Sequence, residues 1–267
     1  MSFVKNGDVD IHYEVEGTGP ALVLHTGAGG DLRIWREAGY PAGLPGFQLV
    51  LIDQRGRGQS GHPTVVEEHV MSKYVEDVRL VLDAIDVETA GFWGYSNGLF
   101  VGLAFGASYP DRLQCMVGTG AVPFSDFTDL PPIEDRSAFI AKVVAEGGVR
   151  ADVDGYERKE GDRFPKSIDA NVRATDPQMG ALRRIAWRSW RGPKTVTPKL
   201  AVPVLIIAGE KEILDNSTAT AIAAFPNARL VTLPGTGHLG AFYRSDLALP
   251  HANPFLRENL RRTSRPR

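Results

Sequence analysis

The sequence predicts an α/β protein with a mostly parallel central sheet, helices on both of its faces, and a helical cap inserted between two strands. Three observations carry this. Short runs dense in Val, Leu and Ile alternate with longer segments of helical spacing, the pattern of successive βαβ units. The runs are apolar at nearly every position rather than at every second one, as strands covered on both faces are. From Pro123 to Pro198 the alternation stops and prolines, charges and aromatics take over, until AVPVLIIAG at 201–209 resumes it. The expected organisation is a core built from residues 1–122 and 201–267, interrupted by a cap over 123–200.

Each element has its own local reason. Residues 2–6 and 9–15 alternate polar and apolar side chains and read as an opening antiparallel hairpin. Ala21–His25, Phe47–Asp53, Ala90–Tyr95 and Leu113–Thr119 read as buried central strands. In SKYVEDVRLVLDAI, residues 72–85, the apolar Val75, Val78, Val81, Leu82 and Ile85 recur at spacings of three and four, which predicts an amphipathic helix capped by Ser72. Asn97–Tyr109 is apolar almost all round, as a helix buried in the fold is. In the cap, PQMGALRRIAWRSWR at 177–191 predicts a helix with Met179, Leu182, Ala186 and Trp190 on one stripe and Arg184, Arg188 and Arg191 opposite. Arg183 and Trp187 fall at the border between these faces, where they can meet an acidic or aromatic substrate, although a solvated arginine is the blander reading. Ala228–Leu233 is a last strand, and the RRTSRPR tail reads as solvated.

Composition narrows the function. The 267 residues are 43% hydrophobic with a formal net charge of −2. There is no global basic field for nucleic acid. No run approaches the roughly 20 apolar residues of a membrane span. MSFVKNGDVDIHYEVEG has neither the basic nor the apolar region of a secretory signal. Cys115 is the only cysteine, so no intrachain disulfide forms and a cytoplasmic protein is expected, with the thiol as a buried small apolar group.

Chemistry concentrates at GFWGYSNG, residues 91–98. Gly94-Tyr95-Ser96-Asn97-Gly98 fits a strand that turns abruptly into a helix, with Ser96 lifted clear at the apex and no room for a side chain at 94 or 98. Such a serine needs a base, and His238, in the glycine-rich LPGTGHLGAF loop after the last strand, is the candidate. The other five histidines, His12, His25, His62, His69 and His251, lack its combination of glycine loop, strand end and late position. For the acid that orients the imidazole, Glu212 in the loop after AVPVLIIAG is the first choice, with Asp215 and Asp126 as alternatives. The oxyanion donors are expected from the amides of Asn97 and Gly27, the latter in His25-Thr26-Gly27-Ala28-Gly29-Gly30. That loop is not a dinucleotide fingerprint, because Leu32 stands where its third glycine should be. Thr26, Tyr95 and Trp187 are the expected substrate contacts, and the chemistry calls for no metal or organic cofactor.

Taken together, the His25 loop, Asp53-Gln54-Arg55-Gly56-Arg57-Gly58-Gln59-Ser60, the Ser96 elbow, the acid loop after Gly209 and His238 resemble the α/β-hydrolase superfamily over essentially the whole chain. The resemblance is to its small cap-bearing esterases, enol-lactonases and carbon–carbon bond hydrolases, and Asp31-Leu32-Arg33-Ile34-Trp35 is similar to the enol-lactonase type. It implies hydrolysis of a small carboxylic ester or lactone through an acyl-enzyme, and a structural turn without chemistry at 53–60. The same triad serves carbon–carbon cleavage or perhydrolysis, and a hydrolase-fold binding protein with little turnover is a further possibility. Two positions depart from the family pattern: Thr26 stands where a glycine usually follows the histidine, and Glu212 where an aspartate is usual.

Overall fold

The computed structural model describes residues 2–120, 126–212 and 221–262. Eight strands form one sheet: β1 (Ser2–Asn6), β2 (Val9–Glu16), β3 (Ala21–His25), β4 (Gln48–Ile52), β5 (Ala90–Tyr95), β6 (Leu113–Thr119), β7 (Val204–Gly209) and β8 (Ala228–Leu233). Their order is β1-β2-β4-β3-β5-β6-β7-β8. The β1–β2 and β2–β4 pairs are antiparallel, and every pairing from β4 to β8 is parallel.

The central strands are buried throughout because their alternate residues enter two different cores. Val23, Val50, Phe92, Met116 and Ile206 face one. Leu22, Leu24, Leu51, Trp93, Cys115, Val117 and Leu205 face the other. Of the longer helices, α1 (Met71–Ala84) and α2 (Asn97–Ser108) pack on the first face and α7 (Ser245–Asn259) on the second. Between β6 and β7 lie α3 (Arg136–Glu146), α4 (Val149–Glu160), α5 (Lys166–Arg173) and α6 (Pro177–Ala186). Burial pushes the Cys115 thiol up to about 12, so it stays protonated.

Two local expectations change. Helix α1 starts one residue early, at Met71, so Ser72 lies inside its first turn and makes no capping hydrogen bond; Val70 precedes the helix instead. Helix α6 ends at Ala186 and gives way to a 3-10 turn at 187–189. Its stripe therefore does not extend to Trp190.

The turn after β4 is tied together by a buried carboxylate. Asp53 accepts from the Leu32 amide at 2.8 Å, the Gln59 amide at 2.9 Å and His12 Nδ1 at 2.8 Å. Gly58, at φ +52°, has no room for a Cβ against that carboxylate. This turn and the loop after β3 are thereby held as one unit at the strand ends where the site lies.

Burial holds His25 and His69 near pKa 4, against 6.5 for a free imidazole. The unfolded chain therefore takes up these protons first, and stability falls as pH drops from 6.5 towards 4. Thermal unfolding should show a midpoint several degrees lower at pH 5 than at pH 7, by about 5 °C or more. The His69→Gln protein should show a smaller pH dependence over that window; an unchanged slope would remove His69 from this account.

Candidate active site

The elbow begins as backbone geometry. Ser96 sits at φ 51°, ψ −118°, one of two non-glycine residues with positive φ among those described. Such a conformation costs on the order of 1–3 kcal/mol and persists only where its surroundings hold it. The Ser96 amide donates to the Thr119 carbonyl at 2.8 Å. A Cβ at Gly94 would lie 2.4 Å from the Gly98 carbonyl carbon and the Leu99 nitrogen, and one at Gly98 would lie 2.3 Å from the His25 carbonyl oxygen. Both glycines are required by this close approach. The turn also brings the loop after β3 against the serine, since a Cβ on Gly27 would be 3.1 Å from Ser96 Cβ.

Three side chains from three strand ends meet here. His238 Nε2 is 3.2 Å from Ser96 Oγ, and His238 Nδ1 is 2.7 Å from Glu212 Oε1. The other Glu212 oxygen accepts from the Gly209 amide at 2.8 Å. With the imidazole proton on Nδ1, Nε2 is free to accept the serine proton. The Asn97 amide opens a helix, and first-turn amides have no partner within their helix. The Gly27 amide has no hydrogen-bond partner among the described residues.

The imidazole is flanked by two tyrosine rings. It stacks on Tyr156 with centroids 4.1 Å apart and planes 11° from parallel, and Tyr95 lies 5.5 Å away on a tilt. Its backbone is held too: the His238 amide donates to Glu160 Oε2 at 2.7 Å, and Asp162 Oδ2 accepts from the amides of Gly237 and Gly240. Glu160, Asp162 and Tyr156 all belong to the segment between β6 and β7, so this segment grips the histidine loop.

A cavity of about 190 Å³ opens over the serine. Gly29, Tyr95, Ser96, Asn97 and His238 line one side, and Val149, Val153, Tyr156, Phe164 and Val172 line the other. Of the expected contacts, Tyr95 stands in this wall. Thr26 and Trp187 do not. The Thr26 hydroxyl is buried and accepts from Gln54 Nε2 at 3.0 Å, so Gln54 takes the hydroxyl a ligand would use. The 3-10 turn after α6 sends the Trp187 ring into an aromatic cluster with Tyr74, Phe100 and Phe127. Asp126, an alternative acid, is engaged elsewhere, on the Thr195 amide at 3.0 Å and the Thr195 hydroxyl. Asp215 lies outside the described residues. The solvated reading of Arg183 gives way to a buried one, in the wall of the cavity.

Sequence reasoning missed Glu160, Asp162, Tyr156 and Gln54. Gln54 Nε2 also donates to the carbonyls of Thr26 and Gly27, clamping the loop beside the serine. The 53–60 turn thus supports the site without entering the cavity wall at Gln54.

A family model for the alpha/beta hydrolase fold matches residues 20–159. A zearalenone hydrolase from Bionectria ochroleuca is 32% identical over 105 residues, covering 39% of this chain and 40% of that protein. In this relative and two others at 30% and 33% identity, the match spans 40–44% of the relative's length. Among solved structures, a hydrolase from Pseudomonas aeruginosa PA01 is similar with a TM-score of 0.77 at 27% identity, over 96% of this chain and 97% of that one. The enol-lactonase from Burkholderia xenovorans LB400 shares the fold with a TM-score of 0.75 at 22% identity, over 96% of this chain and 100% of that one. No helix among the described residues is long and apolar enough to cross a membrane.

Replacing Glu160 by Ala leaves the buried His238 amide without its acceptor. An unsatisfied buried donor costs about 1–3 kcal/mol, and denaturant unfolding of Glu160→Ala should show a loss of that size. A loss below about 0.5 kcal/mol would mean that the carboxylate does not hold the loop.

Proposed function

The chain belongs to the α/β hydrolase family, and from that premise we propose that it is a serine hydrolase cleaving a small carboxylic ester or lactone through an acyl-enzyme. The observation that carries the reading is the chain of contacts from Glu212 through His238 to Ser96, 2.7 Å and 3.2 Å long, at the floor of a cavity.

In this mechanism Ser96 Oγ attacks the carbonyl carbon as its proton passes to His238 Nε2. Glu212 holds the imidazole by Nδ1 and stabilises the imidazolium that forms. The amides of Gly27 and Asn97 receive the charge that develops on the carbonyl oxygen; preorganised donors of this kind lower the barrier because they need not reorient. The protonated imidazole then gives its proton to the leaving oxygen, and water, deprotonated by the same nitrogen, releases the acid. Tyr156 and Tyr95 keep the ring in its orientation through the transfers. Residues from 149 to 183 form the cap side of the cavity, so this segment selects the substrate. The identity of several relatives as hydrolases supports the class of reaction.

Ser96→Ala should lower kcat/KM on 4-nitrophenyl acetate by about a thousandfold or more, as loss of a triad member does. A fluorophosphonate probe should label the wild-type protein and leave Ser96→Ala unlabelled. Turnover equal to wild type in the variant would overturn the assignment, and an unlabelled wild-type protein would favour a binding role.

A further inference from the structure

Among the described residues three arginines are buried, and they are treated differently. Arg55 is fully paired: its guanidinium contacts Asp77 through Nε at 2.8 Å and Nη2 at 2.7 Å, and Glu68 through Nη1 at 2.9 Å. Arg57 and Arg183, only 5% and 4% exposed, have no carboxylate within 4.0 Å among the described residues. Arg57 donates to the carbonyls of Ala28 and Gly56, at 2.9 Å and 2.6 Å. Among the described residues Arg183 makes a single hydrogen bond, 3.3 Å long, to the same Ala28 carbonyl, and its guanidinium lies 5.3 Å from the Trp187 ring centroid.

Two cations thus converge on one carbonyl oxygen with no anion between them. Buried charges are ordinarily paired, because an uncompensated one carries a desolvation cost of several kcal/mol. The strain shows in their acidity: burial, and then the neighbouring Arg183 charge, push Arg57 down to about 9, and burial also lowers Arg183. Arg183 lines the cavity that holds Ser96 and His238. The one carboxylate in that wall among the described residues, Asp152, reaches Arg183 only through its field and is hydrogen-bonded by Arg184. Asp176 acts on Arg57 only through its field and caps α6 by accepting from Gln178.

We propose that Arg183, backed by Arg57, is a carboxylate-recognition subsite of the reaction cavity, and that the substrate is a small ester or lactone bearing a free carboxylate. This rests on the ester or lactone hydrolase reading above. A carboxylate beside Arg183 would supply the anion that Arg55 finds within the protein, and the planar guanidinium, with donors to spare, suits it geometrically. The same group anchors the substrate at a fixed distance from Ser96, so the charge serves orientation as well as affinity.

The test compares mono(4-nitrophenyl) glutarate, an anionic half-ester, with methyl 4-nitrophenyl glutarate, its neutral counterpart. Wild-type kcat/KM should favour the half-ester by about tenfold or more, the range of a charge-assisted hydrogen bond. Arg183→Met should lower kcat/KM for the half-ester at least about tenfold more than for the diester. Equal losses, or a wild-type preference for the diester, overturn the subsite. A measurement that needs no variant is inhibition of diester turnover by glutarate and by glutaramide: competitive inhibition by glutarate alone is expected, and equal inhibition by both would sink the idea. Should neither ester turn over, the hydrolase reading fails separately. Calorimetric titration of Ser96→Ala with glutarate then decides the subsite: binding that Ser96→Ala/Arg183→Met abolishes supports it, and no binding overturns it.

Discussion

The architecture of the site depends on one steric constraint, the close approach of β5, α2 and the loop after β3 around Ser96. At Gly94 and Gly98 a Cβ would stand 2.3–2.4 Å from backbone atoms across the turn, well inside any real contact distance. Because those atoms are absent, α2 begins immediately after β5 and Ser96 is forced to a positive φ at the apex. The same approach seats Gly27 against Ser96. Parallel pairing of β3 with β5 makes this possible, since both strands then end at the same edge of the sheet. Asp53 and Gln54 hold the loop there from the neighbouring β4 turn.

The proposed base answers to a second constraint, which comes from outside the sheet. A histidine in a glycine-rich loop has little of its own to hold it, and glycine raises the entropy cost of ordering such a loop. The protein offsets this with buried carboxylates on the amides of residues 237, 238 and 240, both from the end of α4 and just beyond it. Gly237 and Gly240 leave no space for a Cβ against Glu160 and Asp162, so these glycines exist for close contact rather than mobility. Lys211 closes the arrangement, donating to the Glu160 carbonyl at 2.7 Å and lying 3.6 Å from Asp162. The residues that wall one side of the cavity and the carboxylates that hold the histidine loop are therefore parts of one segment, and displacement of α4 would disturb that wall and the imidazole together.

How much of this was legible in the sequence depended on whether the cause was local. The central strands read clearly because burial on both faces leaves a run with no polar alternation, and the elbow read clearly because its glycine requirement spans five residues. Glu212 and His238 could be named because each follows a strand whose end is itself readable. Glu160 and Asp162 could not, since a carboxylate beside a helix end looks solvated until the loop 78 residues away that it binds is known. Trp187 was misjudged because helical periodicity was extended past Ala186, where the backbone tightens into a 3-10 turn and the indole rotates into the core. Ser72 failed as a cap for a smaller reason, a helix start shifted by one residue.

Arg183 marks the limit of pattern reading most clearly. On a helical wheel it sits between the apolar and the charged faces, and such a position says nothing about which environment prevails. The fold resolves it by covering α6 on the arginine's side, so that the stem and guanidinium are buried while the neighbouring Arg184 reaches Asp152. Leaving a guanidinium there without an acid is costly, and an apolar side chain of similar volume would commonly be no less stabilising. The cost is accepted in only one region of the described structure, where two arginines share the Ala28 carbonyl beside the reaction cavity. Arg55 shows that the same fold can neutralise a buried guanidinium completely when it serves structure. An uncompensated charge in the wall of the cavity that holds the proposed nucleophile therefore fits a binding role better than a structural one, because an incoming anion would relieve it.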